Sequence, residues 1–334
     1  MKILSVIGTR PQYIKIKPVF DTFKKEGVNH IIVDTNQHYS DDVSKCFIDE
    51  FGLKIDYNLN VNNSNELGFI SESILEFSNI LSQESPDFVL IYGDTNSTLT
   101  SSLVCYKLQV PFAHVESGLR CGDISVPEEL NRIVSDITSK VQFTPSKNYL
   151  PNLENGIVTG DLEYELLNTM YDGDITHDGP VVMTIHRQRN LTIERFNEIN
   201  RVCEVYGKPI NLYLHHRTRS FIKESNISLS SNIKVLPPAK YGEMVKALSE
   251  CSFIITDSGG LTKTSPFFGK KCIMMRDVIE WKETEQLGYC RRYKNELDLI
   301  WADTYDIKRD KGLFLTGTPP SQIINNEVKK LINE

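Results

Sequence analysis

Short runs of β-branched and aromatic residues recur along the chain, separated by stretches in which apolar residues return every three or four positions. Residues 2–8, 30–35, 87–92, 110–115 and 141–144 read as strands. Between them, 11–25 sets Ile14, Pro18, Val19 and Phe23 near one helical face, and 66–81 does the same with Leu67, Ile70, Ile74, Phe77 and Leu81. Such helices are the crossovers of βαβ units, which demand a parallel sheet. A second series of strands follows at 181–185, 210–214, 233–236, 253–256 and 272–275. The stretch 172–180, DGDITHDGP, is rich in Asp and Gly and suits a linker. The pattern therefore predicts an α/β protein of two Rossmann-like, doubly wound domains with a cleft between them, divided near 170/171.

A length of 334 residues supports this division, because one hydrophobic core seldom organises so long a chain. The net charge of −7 gives no positive field for a polyanion, so nucleic acid is not an expected partner. No run of 18 apolar residues and no charged leader before a short apolar segment occurs, so neither membrane insertion nor secretion is expected, and a cytoplasmic location is. The seven cysteines include no CxxC pair and read as reduced, mostly buried residues.

The candidate chemistry lies at strand ends. Gly8-Thr9-Arg10-Pro11 closes the first strand and opens a helix whose N–H groups, with Arg10 and Lys15, suit a phosphate; the alternative is a plain helix start with solvated cations. Asp94 follows FVLIYG and Glu116 follows FAHV, with Glu128 and Glu129 after Pro127. For Asp94 beside Thr95, helix capping is the competing explanation. His186 ends another strand, followed by Arg187, Gln188 and Arg189, a grouping suited to a pyrophosphate. Asp257-Ser258-Gly259-Gly260 is a strand-to-helix turn whose bare backbone can approach a phosphate. His215 and His216 are adjacent and would point to opposite sides of a strand, so no metal site is expected. The GxGxxG dinucleotide fingerprint is missing from these turns.

The blocks GTRPQYIKIKPV (8–19), TNQHY (35–39), YGDTNSTL (92–99), HVESGLR (114–120), PEELNR (127–132), TIHRQRN (184–190) and DSGG (257–260), in this order, resemble the non-hydrolysing UDP-N-acetylglucosamine 2-epimerase family. The resemblance spans nearly the whole chain and implies the two-domain glycosyltransferase-B architecture, with a closing helix (319–334) returning to the first domain and the second domain covering 171–318. It implies catalysis without a cofactor: UDP is eliminated as the C2 proton of a UDP-2-acetamido sugar is removed, and the glycal takes UDP back with the proton on its other face. Asp94, Glu116 and Glu128 then become acid and base candidates, and His186 and Arg10 diphosphate contacts supported by Lys15. Ser258, Gly259 and Gly260 become phosphate donors, and Arg120 is expected to help position the carboxylates. His38, Arg187 and His215 complete the implied substrate-binding set, and a homodimer is implied as well.

Three departures stand out. LTKT (261–264) replaces a family glutamine and paired acids, leaving Thr264 where an acid holds the ribose. A threonine cannot clamp two hydroxyls with one ionised carboxylate. LHHRTR (214–219) replaces a histidine-proline-asparagine stretch, and Glu280-Trp281 replaces Glu-Arg-Pro. The opening GTRPQ, Trp281 and YGDTNST resemble members acting on modified sugars. A hydrolysing 2-epimerase, a catalytically degenerate sugar-nucleotide binder and a retaining glycosyltransferase are the competing functions.

Overall fold

The computed structural model describes residues 1–37, 41–59, 61 and 65–334. The chain divides into two compact units, one of residues 1–169 and 314–334, the other of 170–313.

In the first unit, β1 (Lys2–Ile7), β2 (Asn29–Asp34), β3 (Tyr57–Asn58), β4 (Phe88–Tyr92), β5 (Phe112–Val115), β6 (Val141–Thr144) and β7 (Gly156–Val158) form one sheet in the order β3-β2-β1-β4-β5-β6-β7. Every pairing in it is parallel. Helices cover both faces, which is why Ile3, Leu4, Val6 and Ile7 of β1 are all buried rather than alternating. Leu4, Val6, Val89 and Ile91 pack with Phe69, Phe77 and Val104 in one of the cores.

The second unit repeats the plan with β8 (Val181–Thr184), β9 (Ile210–Tyr213), β10 (Ile233–Leu236), β11 (Ile254–Thr256), β12 (Cys272–Met274) and β13 (Cys290–Arg292), ordered β10-β9-β8-β11-β12-β13 and parallel throughout. Its core gathers Val181, Met183, Phe196, Ile210, Leu212, Phe253 and Ile255. In each sheet the strand order reverses beside the first strand, between β1 and β4 and between β8 and β11. Ligands of doubly wound sheets bind at the carboxyl ends of strands at such reversals.

Two expectations about connections need correction. Segment 172–180 is no free linker: Thr176 N donates to Ser249 O at 3.0 Å, the buried Lys270 ammonium donates to Thr176 O, and Gly179 bridges to Cys251, so it is part of the second unit. The return to the first unit begins at Phe314, ahead of position 319, where Asp161 N donates to Phe314 O at 2.7 Å. The closing helix Pro320–Asn333 buries Ile324 and Val328, and Ser321 Oγ meets Thr22 Oγ1 at 2.7 Å. Five of the seven cysteines are buried, and all are free thiols. Among the described residues no helix is long and apolar enough to cross a membrane.

Candidate functional site

The first unit assembles a cluster at the ends of β1, β4 and β5. Gly8 leaves β1 where a Cβ would fall 1.9 Å from Thr35 Oγ1 and 2.7 Å from Ser97 Oγ, so no larger residue fits. Helix Arg10–Lys25 then starts, capped at Thr9. Gln12, in its first turn, accepts from Thr9 N at 3.0 Å and donates to Tyr92 O at 2.7 Å, tying the ends of β1 and β4 together.

Gly93 (φ +67) turns the chain after β4. A Cβ there would lie 3.2 Å from Lys15 Nζ and 3.5 Å from Glu116 Oε2, so the glycine lets the Lys15–Glu116 ion pair sit against bare backbone. Glu116 itself takes a left-handed φ of +68, a conformation that costs a residue with a Cβ about 1 kcal/mol or more and that local structure must hold in place.

Asp94 follows Gly93 and is not the cap of the next helix, Asn96–Lys107; Thr95 is. Its carboxylate, about a third exposed at 35%, receives Arg132 Nη1 at 2.6 Å. Burial of its surroundings raises the Asp94 carboxyl above the usual carboxylate range; Glu116 and Glu128 add to the rise, and Arg132 and Lys15 oppose it. Glu128 and Glu129 diverge because neighbours on a helix point about 100° apart. Glu129 is buried and accepts from Cys121 N (3.0 Å), Gly122 N (2.9 Å) and Arg132 Nη2 (2.9 Å). Burial alone would raise its carboxyl, but these donors hold it below the ordinary range. Glu128 stays half-exposed on the side that Asp94 senses.

Two carboxylates, Asp94 and Glu116, thus each pair with a buried cation, and Glu128 adds its charge nearby, an arrangement able to take and give protons at a weakly acidic carbon. Arg10 is half-buried with its guanidinium 5.2 Å from the centre of the Phe47 ring. Arg120 pairs with Asp136 at 2.6 Å, so any part it has in positioning Asp94, Glu116 or Glu128 runs through Asp136. His38 lies outside the described residues.

In the second unit, Asp257 organises the ends of β8 and β11. Its carboxylate accepts from His186 N at 3.1 Å, Arg187 N at 2.9 Å and Asn190 Nδ2 at 2.9 Å, and lies 3.0 Å from His186 Nδ1. Burial would raise this carboxyl, but His186 and the other donors outweigh it and bring it down to about 2. The His186 ring remains exposed while its Nδ1 is fixed on Asp257, which leaves Nε2 outward. Arg187 Nε donates to Asp257 O at 3.2 Å.

Ser258 caps the short helix Gly259–Thr264, its Oγ accepting from Leu261 N at 3.5 Å. Gly259 abuts Arg276, whose Nη2 lies 3.3 Å from where a Cβ would be, and Arg276 grips Glu280 with two bonds of 3.0 and 2.5 Å. Thr264 is buried and donates its hydroxyl proton to Leu261 O at 3.3 Å, within its own helix. Two of the sequence departures touch: Lys263 Nζ lies 5.0 Å from the centre of the Trp281 ring. His215 is half-buried at the N-cap of helix His216–Glu224. Beside Asn190, Arg276 and Asp277 opens a cavity of about 700 Å³ that Arg189 and Arg195 also line. Among the described residues no group of three or more His, Cys, Asp or Glu side chains could hold a metal ion.

Sequence reasoning gave no role to Arg132, Asp136 or His114, and named Asp257 only as part of a turn. Arg132 had a signal, since it stands three residues after Glu129 and so on the same helical face.

The family model described as UDP-N-acetylglucosamine 2-epimerase matches residues 21–312. The UDP-2,3-diacetamido-2,3-dideoxy-D-glucuronate 2-epimerase of Pseudomonas aeruginosa is 36% identical over 313 residues, covering 86% of this chain and 87% of its own. The UDP-N-acetylglucosamine 2-epimerase of Methanocaldococcus jannaschii is 33% identical over 318 residues, covering 86% and 87%. A crystal structure of UDP-GlcNAc 2-epimerase from the same organism, in complex with UDP-GlcNAc and UDP, superposes with a TM-score of 0.88 at 29% identity, covering 98% of this chain and all of that one.

Proposed function

The chain belongs to the UDP-N-acetylglucosamine 2-epimerase family, and from that premise we propose that it inverts C2 of a UDP-2-acetamido sugar without hydrolysing it. A carboxylate takes the C2 proton, the C–H electron pair becomes the C1=C2 bond, and the C1–O bond breaks to release UDP. Re-addition of UDP to the glycal, with a proton delivered to the opposite face of C2, gives the epimer. The product is a precursor for glycan or polysaccharide synthesis in the cytoplasm.

The observation that carries this reading is the raised Asp94 carboxyl set among Glu116, Glu128, Lys15 and Arg132. Two of these acids exchange protons with the two faces of C2, and a base for a carbon acid works best when its affinity for protons is raised. Lys15 and Arg10 offset the charge of departing UDP, with His186, Ser258 and the bare backbone of Gly259 and Gly260 on the diphosphate. Asp257 serves them indirectly by aiming His186.

Asp94→Asn and Glu116→Gln are the direct tests. Each is expected to lower kcat at least about 1,000-fold while UDP still binds, because proton transfer to or from a reacting carbon contributes on that order. Full turnover by both variants would refute the assignment.

We also propose a homodimer formed through the first unit. Helices Glu66–Glu84, Asn96–Lys107 and Pro127–Thr138 pack side by side, and Leu67, Leu75, Tyr106, Leu130 and Ile137 stand exposed on them.

A further inference from the structure

His114, on β5, is fully buried, and each of its ring nitrogens meets an oxygen at 2.6 Å: Nδ1 faces Asp136 Oδ1, and Nε2 faces the backbone carbonyl of Gly93. A carbonyl oxygen has no proton to give, so Nε2 must carry one. Asp136 is equally committed as an acceptor. Its Oδ2 receives the Arg120 guanidinium at 2.6 Å and Gly118 N at 3.2 Å. With the Arg120 guanidinium and Gly118 N both on Oδ2, Asp136 is held as a carboxylate whatever the charge of the ring, so Nδ1 must donate as well. A neutral imidazole donates once, and only the imidazolium donates from both nitrogens.

We propose that His114 is a buried imidazolium and a positioning residue for the reaction: it fixes the Gly93–Asp94 peptide beside Glu116. The geometry of the turn supplies the link. Gly93 N donates to Val115 O at 2.9 Å, while Gly93 O accepts from the His114 ring, so the segment 114–116 grips both polar groups of Gly93. Asp94 is the next residue on one side of this clamp and Glu116 the last on the other. The clamp therefore sets the spacing of two proposed acid–base groups, and the charge of His114 makes both of its bonds strong. Arg120 belongs to the same device through Asp136.

The positioning role rests on the epimerase reading, whereas the charge state does not, and the tests separate them. In protein labelled with nitrogen-15 histidine, one of the seven rings is expected to show two exchange-protected N–H protons at neutral pH, both lost in His114→Gln. A ring with a single N–H would overturn the proposal, and this reading uses the wild-type protein whether or not the variant folds. In turnover of a UDP-2-acetamido sugar, His114→Gln can satisfy Asp136 or Gly93 but not both, and kcat is expected to fall about 100-fold with KM nearly unchanged, as for ångström-scale misplacement of reacting groups. An unchanged kcat, or a rise in KM that accounts for the whole loss, would overturn the positioning role. A wild-type protein that epimerises nothing would refute the function and the positioning together, while the two N–H signals would still decide the charge state.

Discussion

Arg132 holds two carboxylates at once, Asp94 at 2.6 Å and the buried Glu129 at 2.9 Å. Replacing it with methionine keeps much of its bulk but strands Glu129 without its cation. Stability should fall by about 3 kcal/mol, the scale for breaking one side of a buried pair, readable from urea denaturation. The same change removes a charge that lowers the Asp94 carboxyl, so that group should bind its proton more tightly still. If Asp94 acts as a base, the acid limb of kcat/KM moves to higher pH; a limb that stays in place would show that Asp94 is not the titrating group. Asp94, Glu116 and Glu128 were legible as candidates in the sequence because strand ends are where α/β sites form. Their partners were not. That Asp136 meets His114, and Asp257 the peptide after β8, depends on how distant segments pack, which no local pattern encodes.

At the scale of elements, hydrophobic periodicity located ten strands within a residue or two, since most are runs buried on both faces; β10, at a sheet edge, is the exception with no buried residue. It missed β3, β7 and β13, which are two or three residues long and lie at sheet edges or carry charged residues such as Arg291 and Arg292. It also misjudged 172–180, where Asp and Gly suggested a linker but backbone bonds to the end of helix Tyr241–Glu250 and the residues after it bind the segment into the second unit. Amphipathic helices were legible on their buried faces, yet an exposed apolar face gives the same signal as noise in the pattern. Ile137 is 76% exposed and Leu67 77%. If these helices form the dimer contact, Leu130→Lys with Ile137→Lys should convert a dimer to a monomer by light scattering without loss of secondary structure. A wild-type monomer at micromolar concentration would contradict the proposed assembly.

For the molecule as a whole, the proposed acid–base groups and the cations Arg10 and Lys15 belong to one unit, and His186, Ser258, Gly259 and Gly260 to the other, so on this reading residues of both units serve the reaction. The sequence showed both sheets and most of the strand-end residues; by the family resemblance, Thr264 stands where an acid is expected. The structure adds that the Thr264 hydroxyl donates its proton to its own helix, which leaves it only as an acceptor. The most direct test of the central claim is proton NMR of UDP-2-acetamido sugars incubated with the protein in D₂O. The account predicts that deuterium enters C2 while an epimeric UDP-sugar accumulates. Retention of the C2 proton across neutral, 6-deoxy and uronate sugars, or steady release of UDP with free sugar, would contradict it.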